Sequence, residues 1–378
     1  MPTTNLKAIE KIKADLEKSP LFYLSLSSNE LFHSNFWQWF FKINPSGALA
    51  LFTKKKLEPG EKPPHAELVK REKKHVDLTI TASKFKIVIE NKVKDIVHTK
   101  QLNEIKQKID QERDDKVKEY IVVTLFPPEQ DLPDDWKPLT YEELANRFDK
   151  LSTQGQGSYH KAIVDDYVKL IKNLSRLVKE LPHDKQYNFF DCRNNKESMN
   201  RLNELRFKAG YLKYRCSQLA DHILKKFPNV FHGVQVLSTD EYDEQHDEGN
   251  VITVGSGLSS RGHHGVVDVS YYLNNNASIC VQIENGEYRH FLRTKNCGKK
   301  ASKLREKGVW FTGDSDEYPD PQKREFRQYG GKDEHKYRFG KLEYGATFDY
   351  LADRIIGDFE QILGSKNKRI LKEEALRV

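Results

Sequence analysis

The chain has 378 residues, of which 37% are hydrophobic and 31% charged, with a net charge of +7. That size and balance describe a globular protein able to bury a sizeable core in two domains, and exclude a disordered chain. No apolar run approaches the ~20 residues of a membrane span, and the four cysteines (Cys192, Cys216, Cys280, Cys297) are scattered without CxxC spacing. No membrane partner, zinc site or disulfide framework is therefore expected, and a reducing cytoplasm is the simplest location.

Residues 1–20, "MPTTNLKAIEKIKADLEKSP", lack the apolar core of a secretory signal and read as a short charged helix over about 5–18. "SSNELFHSNFWQWFFK" predicts a second helix, capped by Ser27 or Ser28, with Leu31, Phe32, Phe36, Trp39 and Phe40 at helical spacing. "NPSG" at 44–47 breaks it, and a Lys- and Pro-rich connector leads to three strand-like runs, "AELVKREKK", "HVDLTITA" and "FKIVIENKV". A helix over about 98–112, the strand "EYIVVTLFPP" and two helices around "STQGQGS" follow. Helices alternating with buried strands predict an α/β core with a mixed sheet flanked by helices.

The second and third runs carry the chemistry. With period 2, Phe85, Ile87 and Ile89 face one way, and Val88, Glu90 and Lys92 the other. A hairpin through "ASK" brings Asp77 near Glu90, with Lys92 one pleat beyond. Unpaired charge on so apolar a strand is costly, so the set needs a reason. Two carboxylates offer hard oxygen ligands to Mg²⁺, with Mn²⁺ as a substitute, and the backbone carbonyl of Asn91 is a further donor. The lysine can orient the attacking water or stabilise charge on a phosphorane. The same E-x-K spacing at Glu72–Lys74, Glu104–Lys106 and Glu334–Lys336 lies in polar surroundings. A cross-strand ion pair is the alternative explanation of the copy at 90–92.

The arrangement Asp77-x12-Glu90-Asn91-Lys92 resembles the PD-(D/E)XK nuclease superfamily. Together with "ELFHSNFWQWFF" and "KQLNEI", it is similar to a branch with a leading E-x-x-H-S helix and an I-E-N-K strand. The resemblance covers about residues 25–180 and implies a Mg²⁺-dependent nuclease with a restriction-endonuclease-like core. It implies Asp77 and Glu90 as metal ligands, Lys92 as the catalytic lysine and Glu30 as an acid brought in from the first core helix. Gln101 matches the glutamine on the helix after the catalytic strand, Ile105 standing where a tyrosine often follows. His33 and Ser34 either cap and buttress neighbouring backbone or orient Glu30 and touch substrate, and a supporting role is favoured. Glu67, on the first strand, reads equally as an edge carboxylate or as a flank of the site.

A change of character at 182–198 divides the chain into domains 1–184 and 185–378. The second reads as α+β: a long helix over about 199–227, strands "VFHGVQVLS", "VITVGSG", "GVVDVSYYL" and "ASICVQIENGEY", and a closing helix over about 346–364. Residues 289–307 hold eight Lys/Arg against one acid. Arg289, Arg293, Lys295, Lys299, Lys300 and Lys303 form either a mobile basic loop or a phosphate-contacting surface. Asp268 and Glu284-Asn285 echo Asp77 and Glu90-Asn91, with Gly286 in place of the lysine. A decayed internal copy and two unrelated hairpins are the competing accounts. The acidic loop at 239–249 and "GHHG" at 262–265 read as a solvated loop and a turn. DNA is the expected partner, with RNA the alternative, and a homo-oligomer or larger complex is open. An inactive nuclease fold serving as a nucleic-acid-binding or scaffold module is the rival class.

Overall fold

The structure is a computed structural model that describes residues 5–25, 29–55, 69–73, 76–112, 114–128, 131–151, 157–182, 196–240, 242, 251–259, 264–274, 277–284, 286–294, 297–307, 309, 327–328, 335–342 and 346–375. Two compact units divide the chain: Met1–Pro182 with Glu197–Gly210, and His183–Lys196 with Tyr211–Val378.

The first unit opens with α1 (Leu6–Glu17), N-capped by Asn5, whose side chain accepts from the Ala8 N–H. α2 (Pro20–Ser25) and α3 (Asn29–Ile43) follow. The buried face of α3 is Phe36, Trp37, Phe40 and Phe41, whereas Leu31 is exposed, so the apolar stripe lies further round than the sequence spacing predicted. "NPSG" does end α3, but it also starts a helix. Asn44 caps α4 (Pro45–Phe52) by accepting from Gly47 N–H at 2.9 Å, with Pro45 in the first turn, where its missing N–H costs nothing.

β1 (Val69–Lys73), β2 (Val76–Thr81) and β3 (Phe85–Lys92) form an antiparallel meander. The three residues between β2 and β3 permit only a hairpin. The next strand, β4 (Val117–Thr124), is reached through α5 (Thr99–Asp110), and that crossover makes it parallel to β3. β5 (Trp136–Thr140), which the sequence reading did not find, adds in parallel at the edge, where Pro138 is tolerated. The sheet order is therefore β1-β2-β3-β4-β5. α6 (Tyr141–Asp149) begins directly after β5 in a capping box of Thr140 and Glu143, and α7 (Ser158–Glu180) closes the layer.

β3 is buried along its whole length because both faces are covered. On one side Leu102, Ile105 and Ile109 of α5 pack on Val76, Val88, Tyr120 and Val122. On the other lie α3, α4, α6 and α7. This is the α/β class expected, a mixed sheet between helices.

The expected single helix over 199–227 is two helices. α8 (Lys196–Glu204) and α9 (Lys208–Lys226) are separated at Arg206, which has a left-handed φ of 56°. α8 joins the first unit through ion pairs of Arg201 with Glu10 and Lys13 with Glu204.

The second unit is α+β. Its sheet runs β11-β12-β10-β9-β8-β7-β6, with β6 (Gln235–Ser238), β7 (Val251–Leu258), β8 (Gly265–Asn274), β9 (Ala277–Glu284), β10 (Glu287–Arg293), β11 (Arg327–Gln328) and β12 (His335–Lys341). "ASICVQIENGEY" is thus not one strand but a hairpin, turned at Gly286 with φ 72°. The basic stretch is not a loop among the described residues but β10 and α10 (Cys297–Glu306). α11 (Phe348–Leu363) and α12 (Ser365–Ala375) end the chain. Phe348, Leu351, Ile355 and Phe359 of α11 join Leu219 and Ile223 of α9 in one core with Ile252, Val267, Val269 and Val281.

The two sheets do not share a topology. β3 is followed by a helical crossover to a parallel strand, whereas β9 is followed by an antiparallel hairpin partner. In the second sheet Asp268 lies opposite Gln282, and Glu284 opposite Val266, so those acids are not cross-strand partners. The decayed-copy account is therefore discarded. No helix among the described residues is long and apolar enough to cross a membrane.

Candidate nuclease active site

The site forms where β2 begins and β3 ends, beside the N-termini of α3 and α5. The ladder between β2 and β3 runs from Thr81↔Lys86 to Leu78↔Ile89. One residue further on, the Asp77 side chain takes the next backbone donor: Oδ2 accepts the Asn91 N–H at 2.6 Å. A short, charge-assisted bond of this kind fixes the carboxylate at the strand end.

Glu90 and Lys92 share the α5 face of β3 and are 3% and 6% exposed. Lys92 Nζ lies 3.1 Å from Glu90 Oε1, and Gln101 Nε2, from the first turn of α5, donates to the same oxygen at 2.8 Å. Glu90 Oε2 is buried without a hydrogen-bond partner among the described residues. Burial, reinforced by the Glu90 carboxylate, pushes Asp77 up to about 7. Burial also raises Glu90, against the pull of Lys92. Burial alone would lower Lys92, but Glu90 and Glu30 outweigh it and hold the ammonium above its ordinary value. The site thus has surplus negative charge in a poorly solvated place and an orphaned carboxylate oxygen. That is what an oxygen-ligated divalent cation relieves, and the donor set fits one.

The described residues hold no group of three or more His, Cys, Asp or Glu side chains disposed around a metal position. The remaining ligands would be backbone, water and substrate oxygens, as Mg²⁺ commonly keeps.

Asn91 faces the opposite side of β3, and there its fully buried side chain ties three elements together. Nδ2 donates to the Glu30 carbonyl of α3 at 3.0 Å, and Oδ1 accepts the Tyr141 hydroxyl of α6 at 2.7 Å. Ser34 Oγ also donates to the Glu30 carbonyl, at 3.1 Å, and Glu30 Oε1 accepts from Val93 N–H at 3.3 Å. Ser34 therefore touches the backbone of Glu30, not a solvent-facing position.

His33 is buried behind Glu30, with Nδ1 2.8 Å from Tyr167 Oη. Trp37 Nε1 donates to that same oxygen at 2.8 Å, so Tyr167 Oη joins the two α3 side chains. Burial, with help from Lys94, pushes His33 down to about 3, so it is a neutral imidazole at physiological pH.

Sequence reasoning missed Tyr141 and Tyr167, which reach Asn91 and His33 across 50 and 134 positions of chain, and Trp37 of α3, all of which look like ordinary aromatic core. It also missed Lys94, an ammonium 5.0 Å above the Phe207 ring that burial, then Arg206, pushes down to about 8. Glu67 and Lys295 lie outside the described residues, as do most of the 239–249 loop and His263.

Of the basic candidates, Arg289 is committed to its own sheet. It donates to Gln282 at 2.9 Å, to Glu287 at 2.9 Å and to Glu284. Arg293 and Lys299 are exposed, while Lys300 and Lys303 already engage other groups.

A helix, an antiparallel meander, a crossover helix and a parallel strand, with acid, acid and lysine at one strand end, define a restriction-endonuclease-like fold. Residues 21–169 match the family model of the PD-(D/E)XK nuclease superfamily. No curated protein and no solved structure matches the chain.

Proposed function

We propose that the protein is a metal-dependent nuclease that hydrolyses DNA phosphodiester bonds. The observation that carries this is the convergence of Asp77, Glu90 and Lys92 at one buried strand end, with Glu90 Oε2 left without a partner. Asp77 and Glu90 would hold Mg²⁺ or Mn²⁺, with the Asn91 carbonyl as a further oxygen. Such an ion lowers the pKa of bound water and neutralises charge on the scissile phosphate.

The side chains divide the remaining work. Lys92 is held protonated by Glu90 and Glu30, so at neutral pH it donates hydrogen bonds and is not a proton acceptor. It orients the attacking water and steadies the charge that grows on the phosphoryl oxygens as the new P–O bond forms and the old one breaks. Gln101 keeps Glu90 Oε1 in place, and Glu30 adds negative potential that strengthens metal binding. His33, Ser34 and Tyr141 position these groups from behind. Arg293 and Lys299 offer exposed cations for nucleic acid in the second unit. Restriction, phage defence or DNA repair is the setting this activity would serve.

The test is cleavage of plasmid and linear DNA, and of RNA in parallel, with Mg²⁺ or Mn²⁺. Wild type should cut in a metal-dependent way, and Asp77→Ala and Lys92→Ala should each lose at least about 10²-fold in rate, the scale of a lost charge-stabilising group. Cleavage that survives in both variants would place the activity elsewhere. Cutting confined to RNA would change the substrate and keep the site.

A further inference from the structure

The first unit carries a second charged feature that the catalytic set does not use. Segment 197–210 belongs to this unit although residues 183–196, which precede it in sequence, belong to the other. Its turn between α8 and α9 packs against the chain just beyond β3. Phe207 is buried there with Lys94 Nζ 5.0 Å above its ring. A Cβ added at Gly210 would stand 3.0 Å from the Lys94 carbonyl, so a glycine at this position is what allows the approach. Arg206, at the tip, is exposed and holds a left-handed φ of 56°, an uncommon conformation for a long side chain.

Lys94 follows Lys92 by two residues and feels both Glu30 and Arg206. Among the described residues neither Lys94 nor Arg206 forms an ion pair with an acid. Two cations held close enough to repel, one of them half-buried, is an arrangement that an anion stabilises. Other buried or half-buried lysines of this unit find carboxylates, as Lys86 does with Glu112 and Asp114 and Lys92 does with Glu90. The unpaired couple stands next to the proposed catalytic centre.

We propose that Lys94 and Arg206 form a phosphate-binding subsite beside Asp77, Glu90 and Lys92, taking a non-scissile phosphate of the nucleic-acid strand. The proposal rests on the nuclease reading for the identity of the ligand and on its own geometry for the site. It gives segment 197–210, outside the region matched to the nuclease superfamily, a direct part in substrate placement.

The experiment measures binding of a short DNA duplex without divalent metal over a series of salt concentrations. It compares wild type with Lys94→Gln, Arg206→Gln and Arg206→Lys, and repeats each titration with inorganic tripolyphosphate. One phosphate contact contributes a slope of about 0.9 in log K against log salt for duplex DNA, worth about sixfold to eightfold in affinity between 1 M and 0.1 M salt. Lys94→Gln and Arg206→Gln should each lose about that slope and that factor at 0.1 M salt, and Arg206→Lys should recover most of it. Recovery by lysine distinguishes charge from backbone strain, which Gln and Lys share. Thermal unfolding checks that each variant folds.

If wild type binds and cuts DNA and the Gln variants keep its slope and affinity, the subsite is overturned and the nuclease reading stands. If wild type fails to bind or cut nucleic acid but binds tripolyphosphate in a way that both Gln variants lose, the nuclease reading falls and the anion site stands. Binding of neither polyanion overturns the subsite.

Discussion

Asp77 is where chemistry and stability pull in opposite directions. Its carboxyl is held at about 7 in the folded chain against an ordinary value of 3.8, first by burial and then by Glu90. A raised folded value means that the native state binds the proton more tightly than the unfolded chain does. That stability is fully present below about pH 4 and is lost as pH rises through about 7. Asp77→Asn keeps an oxygen to accept the Asn91 N–H and removes the charge. Without metal at pH 8 it should therefore be more stable than wild type, by on the order of 1–3 kcal/mol in urea unfolding. A variant that is less stable at pH 8 would show that the carboxylate's bond to Asn91 outweighs its repulsion with Glu90. His33 has the opposite sign. Its folded value of about 3 lies below the ordinary 6.5, so its contribution is present above pH 6.5 and fades as pH falls toward 3.

Residues with a charge on an apolar strand announced themselves: Asp77, Glu90 and Lys92 were legible because burial makes such charge expensive. Gln101 on Glu90 was legible only through the family's motif order. Asn91 was read for its backbone, and its side chain proved to link α3 and α6 to β3. A period-2 strand pattern gives the face a residue occupies but not the partner that arrives from another element.

At the scale of elements, the Tyr141–Asn91–Glu30 chain explains why helices on one face matter to carboxylates on the other. α6 starts at Tyr141, immediately after the edge strand β5, and the Thr140–Glu143 box sets where it starts. The Tyr141 hydroxyl is buried, so Tyr141→Phe leaves Asn91 Oδ1 without that donor. The expected loss is about 1–3 kcal/mol in urea unfolding, the cost of an unsatisfied buried acceptor. A change under about 0.5 kcal/mol would mean that Asn91 reorganises, so that α6 does not fix α3.

Local signals located most elements of the first unit, because hairpin and crossover lengths left few choices for pairing. They failed where one stretch held two elements. "NPSG" both stops α3 and caps α4, and Arg206 interrupts a helical pattern without glycine or proline to mark the break. Gly286 turns β9 into β10 within a run that alternates as one strand would.

On the scale of the whole molecule, the Asp77 and Glu90 carboxylates and the large apolar core of the second sheet belong to different compact units. Net charge and composition described the chain as a whole and said little about this division of labour. A ligand that binds one folded unit and not its unfolded chain stabilises that unit by RT ln(1 + [L]/Kd), about 2.7 kcal/mol at a hundredfold excess over Kd. Mn²⁺ should therefore raise the unfolding transition of the first unit and leave that of the second where it was. Calorimetry with and without Mn²⁺ reads both transitions in the intact protein, and tryptophan emission helps assign them, since Trp37, Trp39 and Trp136 lie in the first unit. Asp77→Asn should abolish the shift while leaving the second transition unchanged. A Mn²⁺ shift that persists in Asp77→Asn, or that moves only the second transition, would place the ion away from β3. A single transition that moves as a whole in wild type and not in the variant would show instead that the units unfold together, with the metal still bound at the β2–β3 strand end.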